Sequence, residues 1–506
     1  MERTFISSSG WLAACALISV LAGCRARESD SDSASVDSIA TTSSGGTVEK
    51  SKVPVTTSSD EARALYLRGR ELADQLRQHD ARQLFAQAAA KDPNFALAHY
   101  SLAQAAPTAK EFFQHLNQAV ALSDKASEGE RLMIRTLQAG ANADPAKSLT
   151  SAEELVAKYP QDERAHQILG NAYNARQQYD KAIGEYKRAI EIDPSFSPAY
   201  NSLGYAYRPL GNNAEAEKAF KKYIELVPKD PNPYDSYAEL LMKTGRFDES
   251  IEQYRKALSI DPHFGSSYVG IAADLMFQGK YDQAIAEAQK LYDAARDDGD
   301  RRTALFTQTV TYVDAGNTAK ALQSMEKQYA LGAKIADTAA MAGDAVSTGD
   351  ILLEAGRPDE ASKRYQQALK LVTASSLSGD VKEDAQLADH YNLARVALKK
   401  GDLATAKAHA AQYMSGAEAK HNDVRVRQAH ELAGMIALRE QKFDEAVAHL
   451  GQASQQDPYV LYTTALAYQG KGNAAKAKEL AGQAASLNTL PTLDYAFVRA
   501  KAKKMM

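Results

Sequence analysis

A pattern of small and bulky apolar positions recurs every 34 residues in the middle of the chain. Four consecutive units begin at Glu163, Ser197, Pro231 and Gly265, and a proline recurs near the end of the first three. In each unit the apolar residues form two runs with helical spacing, separated by a polar turn. No segment shows the alternation of apolar and polar residues that marks a half-buried strand. The pattern therefore predicts an all-α chain built from pairs of helices.

Small residues occupy the two positions where the predicted helices of one unit must touch. The eighth position holds Gly or Ala, and the twentieth holds Ala or Ser, in all four units. A small residue lets two helix axes approach, while a ring on the partner helix fills the hollow. We therefore expect Gly204 to lie at a helix–helix contact. The turns between helices should fall at Gly211, Gly245 and Gly279, because glycine adopts a positive φ most easily.

The 34-residue period and these positions resemble the tetratricopeptide repeat family. Weaker units with the same features flank the four regular ones, over residues 62–95, 129–162, 302–335, 342–375, 387–420, 427–460 and 458–491. The resemblance implies a solenoid of helix pairs that winds into a right-handed superhelix with a long concave surface. We predict an N-terminal array over 60–298, with its best repeats in 163–298, and a C-terminal array over 299–491. Residues 492–506 are expected to form a capping helix.

The N-terminal residues have a pattern that is typical of an export signal. Residues 11–22 form an apolar stretch that is too short to span a bilayer but fits a secretory signal. The stretch ends in Leu21-Ala22-Gly23-Cys24, which resembles the lipobox of bacterial lipoproteins. The resemblance implies cleavage of a signal peptide, residues 1–23, and acylation of Cys24. The alternative is a plain secretory signal with an incidental cysteine.

Residues 24–59 are rich in Ser, Thr, Asp and Gly and contain few large apolar side chains. Such a segment buries too little surface to offset the entropy of ordering, so we predict a flexible spacer. Arg25 follows the lipobox cysteine, where the family's inner-membrane retention signal is an Asp. We therefore expect a lipid-anchored protein of the bacterial cell envelope, on the periplasmic face of the outer membrane if the cell has two membranes.

Composition narrows the possible functions. The formal net charge is only −4 and the basic residues are dispersed, which argues against nucleic acid as a partner. Cys15 and Cys24 are the only cysteines, so a thiolate metal cluster or a disulfide framework is excluded. We predict no cofactor.

Three candidate chemical motifs have simpler structural explanations. His99, His166, His390 and His430 occupy the fourth position of their units, where other units have Tyr, and they lack metal-ligand spacing. We interpret them as packing residues and predict no metal. Residues 324–327 and 243–245 match Ser-x-x-Lys and Lys-Thr-Gly patterns of penicillin-binding enzymes, but their order along the chain is reversed. The acidic cluster 297–300 lacks the ligand spacing of a calcium loop. We predict that the protein is not an enzyme.

Polar side chains follow the inner face of the first helices, where this family lines its groove. The candidate contacts for a bound peptide are Gln167, Asn171, Asn201, Tyr205, Asp235 and Glu239. Amides and carboxylates at repeat spacing suit the backbone of an extended peptide. The alternative is a concave face that is merely solvated. The cations with which some family members clamp a C-terminal carboxylate are missing, so that activity is not expected here.

The favoured function is a membrane-anchored, non-enzymatic scaffold or adaptor that binds a protein or peptide of the cell envelope in its groove. A lipoprotein that captures glycans or other nutrients is the alternative, although such proteins use large loop insertions and exposed aromatic residues. An envelope enzyme is a third possibility without a supporting catalytic constellation. Fold alone does not choose among these functions.

Overall fold

The computed structural model describes residues 52–75 and 77–506. Across these ranges the chain forms 25 α-helices, two short 3₁₀ helices and no β-strand. The first 24 helices form twelve consecutive antiparallel pairs, and one further helix follows. The predicted all-α solenoid of tetratricopeptide type is confirmed. The predicted signal peptide, Cys24 and most of the predicted spacer lie outside the described residues.

The helices of the first six pairs are α1 (Asp60–Asp74), α2 (Gln78–Lys91), α3 (Ala96–Gln104), α4 (Ala109–Leu122), α5 (Glu128–Ala141), α6 (Pro145–Lys158), α7 (Glu163–Ala175), α8 (Tyr179–Ile192), α9 (Ser197–Tyr207), α10 (Asn213–Leu226), α11 (Asn232–Lys243) and α12 (Phe247–Ile260). Those of the last six pairs are α13 (Gly265–Phe277), α14 (Tyr281–Ala294), α15 (Asp298–Asp314), α16 (Thr318–Lys334), α17 (Thr338–Glu354), α18 (Pro358–Thr373), α19 (Gly379–Lys400), α20 (Leu403–Ala419), α21 (Asp423–Arg439), α22 (Phe443–Leu450), α23 (Pro458–Gly470) and α24 (Ala474–Ala485). The unpaired helix is α25 (Leu493–Lys503), and the 3₁₀ helices are Ser123–Lys125 and Arg208–Leu210.

The small positions lie where the repeat register predicts them. A Cβ atom added at Gly204 would stand 2.5 Å from Cε1 of Phe220 on the paired helix, and one at Gly170 would stand 2.4 Å from Cε1 of Tyr186. These separations are far below van der Waals contact, so the rings pack directly on the glycine backbone. The predicted turn glycines Gly211, Gly245 and Gly279 have φ values of 73°, 78° and 76°.

Replacing Gly204 with leucine should destabilise the protein by about 1–3 kcal/mol, because the new side chain cannot be accommodated without moving the Phe220 ring. Thermal and denaturant unfolding of the purified chain measure the effect. Gly184→Leu is the matched control, because a Cβ atom at Gly184 in α8 meets nothing within 4 Å. The control should be neutral or slightly stabilising, since leucine has the higher helix propensity. Equal melting temperatures for the two variants would show that the register is misassigned.

The solenoid completes one superhelical turn in seven helix pairs. Lys110 N in the second pair donates to Asp337 Oδ2 before the ninth pair, at 3.2 Å. Asn142 Nδ2 after α5 donates to Asp380 Oδ2 at 2.8 Å, which joins the third pair to the tenth. Arg176 likewise bonds to Asp423, joining the fourth pair to the eleventh. Successive turns therefore touch, and the concave surface becomes the wall of a channel.

Helices α15 to α19 are longer than those of the regular repeats. Helices α15 to α18 have 16 or 17 residues, and α19 has 22. Residues 336–341 and 376–386, which separate the weaker units 302–335, 342–375 and 387–420, lie largely within these longer helices, because α17 begins at Thr338 and α19 at Gly379. The stack is also continuous across residues 298 and 299, where α14 packs on α15.

The predicted flexible spacer extends too far, because residues 52–59 are part of the folded body. They run as an extended segment along the loops that precede α3 and α7 and along the first turn of α5. Val53 N donates to Asp162 Oδ2 at 2.8 Å, and Ser58 N donates to Asp92 Oδ2 at 2.9 Å. Carboxylates in the repeat loops thus satisfy the backbone of a segment whose own composition gives no sign of order.

Candidate functional site: the concave channel

The six predicted groove residues all lie on the first helices of three consecutive pairs, α7, α9 and α11. First helices line the inside of the superhelix, and this is shown by α25, which packs on α15, α17 and α23. Asn201, Asp235 and Glu239 are buried, whereas Gln167, Asn171 and Tyr205 remain partly exposed. The upstream part of this surface is therefore the more accessible one.

Most of these side chains bond to neighbouring repeats. Tyr205 donates its hydroxyl to Glu239 Oε1 at 2.9 Å, one repeat further along. Arg208 Nη1 donates to the other oxygen of Glu239 at 3.1 Å, so that carboxylate is held in a buried ion pair. Ser267 Oγ donates to Asp235 Oδ1 at 2.8 Å. Several of the six predicted groove residues, here called the polar stripe, thus also take part in hydrogen bonds that join successive first helices.

Two side-chain oxygen atoms of the polar stripe take no part in these hydrogen bonds between repeats. Gln167 donates through Nε2 to Ser202 Oγ at 2.7 Å and to Asn171 Oδ1 at 3.1 Å. Its own Oε1 atom is buried and has no hydrogen-bond partner among the described residues, and the same holds for Asn201 Oδ1. The two residues are 34 apart and occupy equivalent positions of α7 and α9. A buried acceptor without a donor costs free energy, which a bound N–H group would recover.

The turn between α1 and α2 borders this surface. Asp74, at the end of α1, pairs with Arg164 of α7, and Ser197 Oγ of α9 donates to the carbonyl oxygen of Asp74 at 3.2 Å. Arg164 also lies over the ring of Phe196, 5.1 Å from its centroid. No sequence pattern predicts this contact, because it joins the first pair to the fourth and fifth at separations that do not follow the repeat period.

The downstream part of the channel is filled by α25. This helix was predicted to cap the array, and it does pack on α24, but it also contacts α15, α17 and α23. Tyr495 meets Phe277 of α13 edge to face, with 5.3 Å between ring centroids. Leu493, Tyr495 and Phe497 belong to the same apolar cluster as Met242 of α11.

Arg499 is the polar centre of the α25 contact. Its Nη1 atom lies 2.6 Å from Asp314 Oδ2 of α15 and 3.2 Å from the carbonyl oxygen of Met276. Its Nη2 atom donates to the carbonyl oxygen of Phe277 at 2.7 Å. These carbonyls belong to the last turn of α13, where a helix carries a partial negative charge. The Met276 carbonyl also accepts from Gly279 N at 2.9 Å. A buried guanidinium is thus matched by a carboxylate and two carbonyls.

Buried ion pairs stiffen the downstream first helices. Three arginines reach the preceding or following first helix and bond to a carboxylate there, and each side chain is almost fully buried. The pairs are Arg302–Asp344, Arg395–Asp350 and Arg425–Asp384. Single-sequence reasoning missed them, because their separations of 42, 45 and 41 residues do not follow the 34-residue period.

The histidines at the fourth position lie at contacts between paired helices, as a packing role requires. His166 bonds through Nδ1 to Glu185 at 2.6 Å. The other three face a second histidine, with Nδ1 atoms 3.0–3.3 Å apart, in the pairs His99–His115, His390–His409 and His430–His449. Within residues 52–75 and 77–506, no three side chains of His, Cys, Asp or Glu are arranged to hold a metal ion.

The motifs that resembled an enzyme have structural positions. Ser324 is buried in α16, and Gly245 is the left-handed turn residue between α11 and α12. Burial lowers the pKa of Lys243, beside Gly245, to about 8, and the nearby charge of Arg208 acts in the same direction. Ser324 and Gly245 are therefore structural residues of the repeats.

Burial leaves several carboxyl groups with a pKa far above its usual range. Burial raises the pKa of Asp274, in α13, to about 8. Four others are raised to about 7, also chiefly by burial: Asp230, Asp300, Glu431 and Asp457. Between pH 6.5 and 8 the folded chain therefore holds protons that the unfolded chain has already lost.

The free energy of unfolding should fall as the pH rises from 6.5 to 8, because stability decreases with pH wherever the folded state binds more protons. Thermal unfolding at matched ionic strength measures this slope. Asp274→Asn, which stays neutral, should reduce the slope by removing one of the five groups. A melting temperature that rises across this interval would contradict the protonated state of these buried carboxyls.

Comparison with family models identifies the repeats. Residues 170–211 match a TPR repeat model, and residues 197–230, 231–264 and 347–413 match tetratricopeptide repeat models. The segments 197–230 and 231–264 each coincide with one helix pair, and the other two begin inside helices. The chain therefore contains tetratricopeptide repeats. Proteins of this class are scaffolds that bind protein or peptide partners and are typically not catalytic.

A comparison with solved structures finds several similar chains, among them two described as tetratricopeptide repeat or TPR proteins. The APC/C hetero-tetramer Cut9–Hcn1 is 16% identical with a TM-score of 0.40, over 85% of this chain and 78% of that chain. A tetratricopeptide repeat protein from Parabacteroides merdae is 15% identical with a TM-score of 0.34, over 52% of this chain and 98% of its own. A thermophilic TPR protein of Thermus thermophilus is 24% identical with a TM-score of 0.28, over 42% and 98% of the two chains. A search of curated proteins finds no match.

In the part of the chain that the structure describes, no helix combines the length and the apolar character needed to span a membrane.

Proposed function

We propose that this protein is a membrane-anchored, non-enzymatic scaffold that binds an extended polypeptide of the cell envelope in the upstream part of its channel. The observation that carries the proposal is the pair of buried, unpartnered acceptors, Gln167 Oε1 and Asn201 Oδ1. They stand at equivalent positions of successive repeats and therefore recur along the channel as the N–H groups of an extended peptide do. Asn171 and Tyr205 lie beside them, partly exposed, and supply further polar contacts.

The order already present in the channel supports this function. The hydrogen bonds from Tyr205 and Arg208 to Glu239 fix the far end of the site before any ligand arrives. A ligand that binds a preorganised wall loses less free energy to the ordering of side chains. We therefore assign Asp235 and Glu239 to the support of the site and the partly exposed Asn171 and Tyr205 to direct contact. Gln167 and Asn201 contact the ligand after their side-chain amides turn toward it, because both acceptor atoms are buried.

The anchor is the second part of the proposal. A lipid on Cys24 would tether the chain to a membrane, with the outer membrane favoured because Arg25 follows the cysteine. The ordered segment 52–59 supports such a tether, since it fixes where the linker leaves the body. It runs beside the loops that precede α3 and α7, through Asp92 and Asp162.

The double variant Gln167→Met and Asn201→Leu should reduce recovery of the partner from envelope extract by at least tenfold. Both replacements keep the approximate side-chain volume and remove an acceptor, which leaves a bound N–H group without a partner. Gln167→Met also removes the Nε2 donor to Ser202 and Asn171, so circular dichroism first establishes that the variant is folded. Affinity capture with the Cys24→Ala chain, followed by quantitative mass spectrometry, measures the loss.

Lys187→Met and Lys222→Met form the matched control, because both lysines are exposed on the outer helices α8 and α10. The control should recover the partner at the wild-type level. If the groove variant remains folded and recovers the same proteins in the same amounts, the upstream channel is not the binding site.

A further inference from the structure

The downstream part of the channel is built to receive a helix. Eight of the eleven residues of α25 are buried, which is the environment of a ligand in a channel and not that of a cap on an open end. It packs on the preceding second helix α24, and its other neighbours α13, α15, α17 and α23 are first helices, the elements that line the channel. The surface that surrounds α25 is therefore a downstream continuation of the wall that carries Gln167 and Asn201.

The polar groups that hold α25 are preformed. Asp314 and the carbonyl groups of Met276 and Phe277 belong to α13 and α15, so they converge there whether or not α25 is seated. Tyr281 donates its hydroxyl to Asp314 Oδ2 at 3.0 Å and fixes this carboxylate from the repeat side. Such a group of acceptors in a buried position requires a cation, because a lone buried carboxylate is strongly disfavoured.

The apolar part of the site is equally specific. The Arg499 guanidinium lies 5.3 Å from the centroid of the Phe277 ring, and Tyr495 contacts the same ring from one helical turn earlier. At the rim, Lys501 Nζ lies 2.9 Å from Glu354 Oε2. The surface thus selects a helix with an aromatic residue, an arginine four positions later and further positive charge.

The connection to α25 is longer than the turns within the repeats. Residues 486–492 join α24 to α25 and contain no helix, and α25 is the only α-helix of the described chain outside the twelve pairs. An isolated helix of eleven residues is marginal in water, so α25 gains its structure from docking. Another helix with the same side chains can gain its structure in the same place.

We propose that the surface formed by α13, α15, α17 and α23 is a docking site for a cationic amphipathic helix of a partner protein, and that α25 occupies it as an intramolecular competitor. The proposal rests on the proposed function, since it assigns the downstream channel to the same partner-binding surface. A tethered competitor acts at a high effective concentration, so only a partner helix that fits better replaces it. An acidic helix is excluded by Asp314 and Glu354.

A fluorescent peptide of residues 486–506, added in trans to the full chain, tests the proposal. Wild-type chain should bind it weakly, because α25 occupies the site. The full-chain variant Arg499→Glu should bind the wild-type peptide at least tenfold more tightly, because a glutamate facing Asp314 and two carbonyls releases the chain's own helix. A peptide that carries the same Arg499→Glu change should not bind either chain. Lys504→Glu, an equal charge change at an exposed position, should leave the full chain like wild type.

Two results would overturn the proposal. The first is an Arg499→Glu chain that keeps its helical content but does not bind the peptide. The second is equal binding by wild type and variant. If Arg499→Glu does not fold, hydrogen exchange of the wild-type chain decides: α25 amides should exchange at least tenfold faster than those of α15, and equal protection refutes a displaceable helix. The assay contains no envelope partner, so its outcome is independent of the test of the upstream site.

Discussion

Replacing Arg425 with methionine will lower the free energy of unfolding by about 3–5 kcal/mol, because the change leaves Asp384 buried without its cation. Both side chains are almost fully buried, and Arg425 Nη1 also donates to the hydroxyl of Tyr413 at 3.0 Å. The pair joins α19 to α21, two first helices of the channel wall. Denaturant unfolding followed by circular dichroism measures the loss.

The double variant Arg425→Met with Asp384→Leu is the decisive control. Removing both charges should restore much of the stability, since an apolar pair of similar volume often replaces a buried ion pair at little cost. The exposed pair Lys476–Glu479 provides the comparison for a surface ion pair, and Lys476→Met should cost no more than about 1 kcal/mol. If single and double variants at the buried pair are equally unstable, packing accounts for the loss and the uncompensated charge does not.

Replacing Cys24 with alanine will move the protein from the membrane fraction to the soluble fraction almost completely. Stable anchoring needs two lipid signals, and the proposed modification supplies two or three acyl chains at one residue. Carbonate extraction and ultracentrifugation of cell envelopes measure the change. Cys15→Ala should remain with the membrane, because Cys15 lies in the predicted signal peptide. A Cys24→Ala chain that still sediments with membranes and is released only by detergent would rule out lipidation at this residue.

The repeat framework could be predicted from the sequence because its determinants are local. The contact between Gly204 and Phe220 joins residues sixteen apart, and the turn conformation of Gly211 depends on a single residue. Both recur at a fixed period, so each unit supports the interpretation of the next. The same register placed Gln167 and Asn201 on the inner face of their helices, where the structure has them. Their binding of a polypeptide stays a prediction.

The position of α25 in the channel and the contacts between superhelical turns could not be predicted. They depend on residue pairs whose separations along the chain do not follow the 34-residue period. Arg499 meets Asp314 across 185 residues, and Lys110 meets Asp337 across 227. The spacer was assigned on its composition alone, yet Asp92 in a repeat loop orders its last residues. Tyr205 and Arg208 each donate a hydrogen bond to one carboxylate oxygen of Glu239, and the pattern of polar residues in the sequence does not reveal these bonds.

A single crosslinking experiment tests the claim that the upstream channel holds a polypeptide. A photoreactive benzophenone amino acid is placed at Asn174, which lies one helical turn after Asn171 on the same face of α7, and separately at Lys187 on the outer face of α8. After irradiation of intact cell envelopes, we expect a covalent polypeptide adduct from position 174 and none from position 187. An adduct from position 187 alone, or no adduct from position 174 in a folded chain, would contradict binding in the upstream channel.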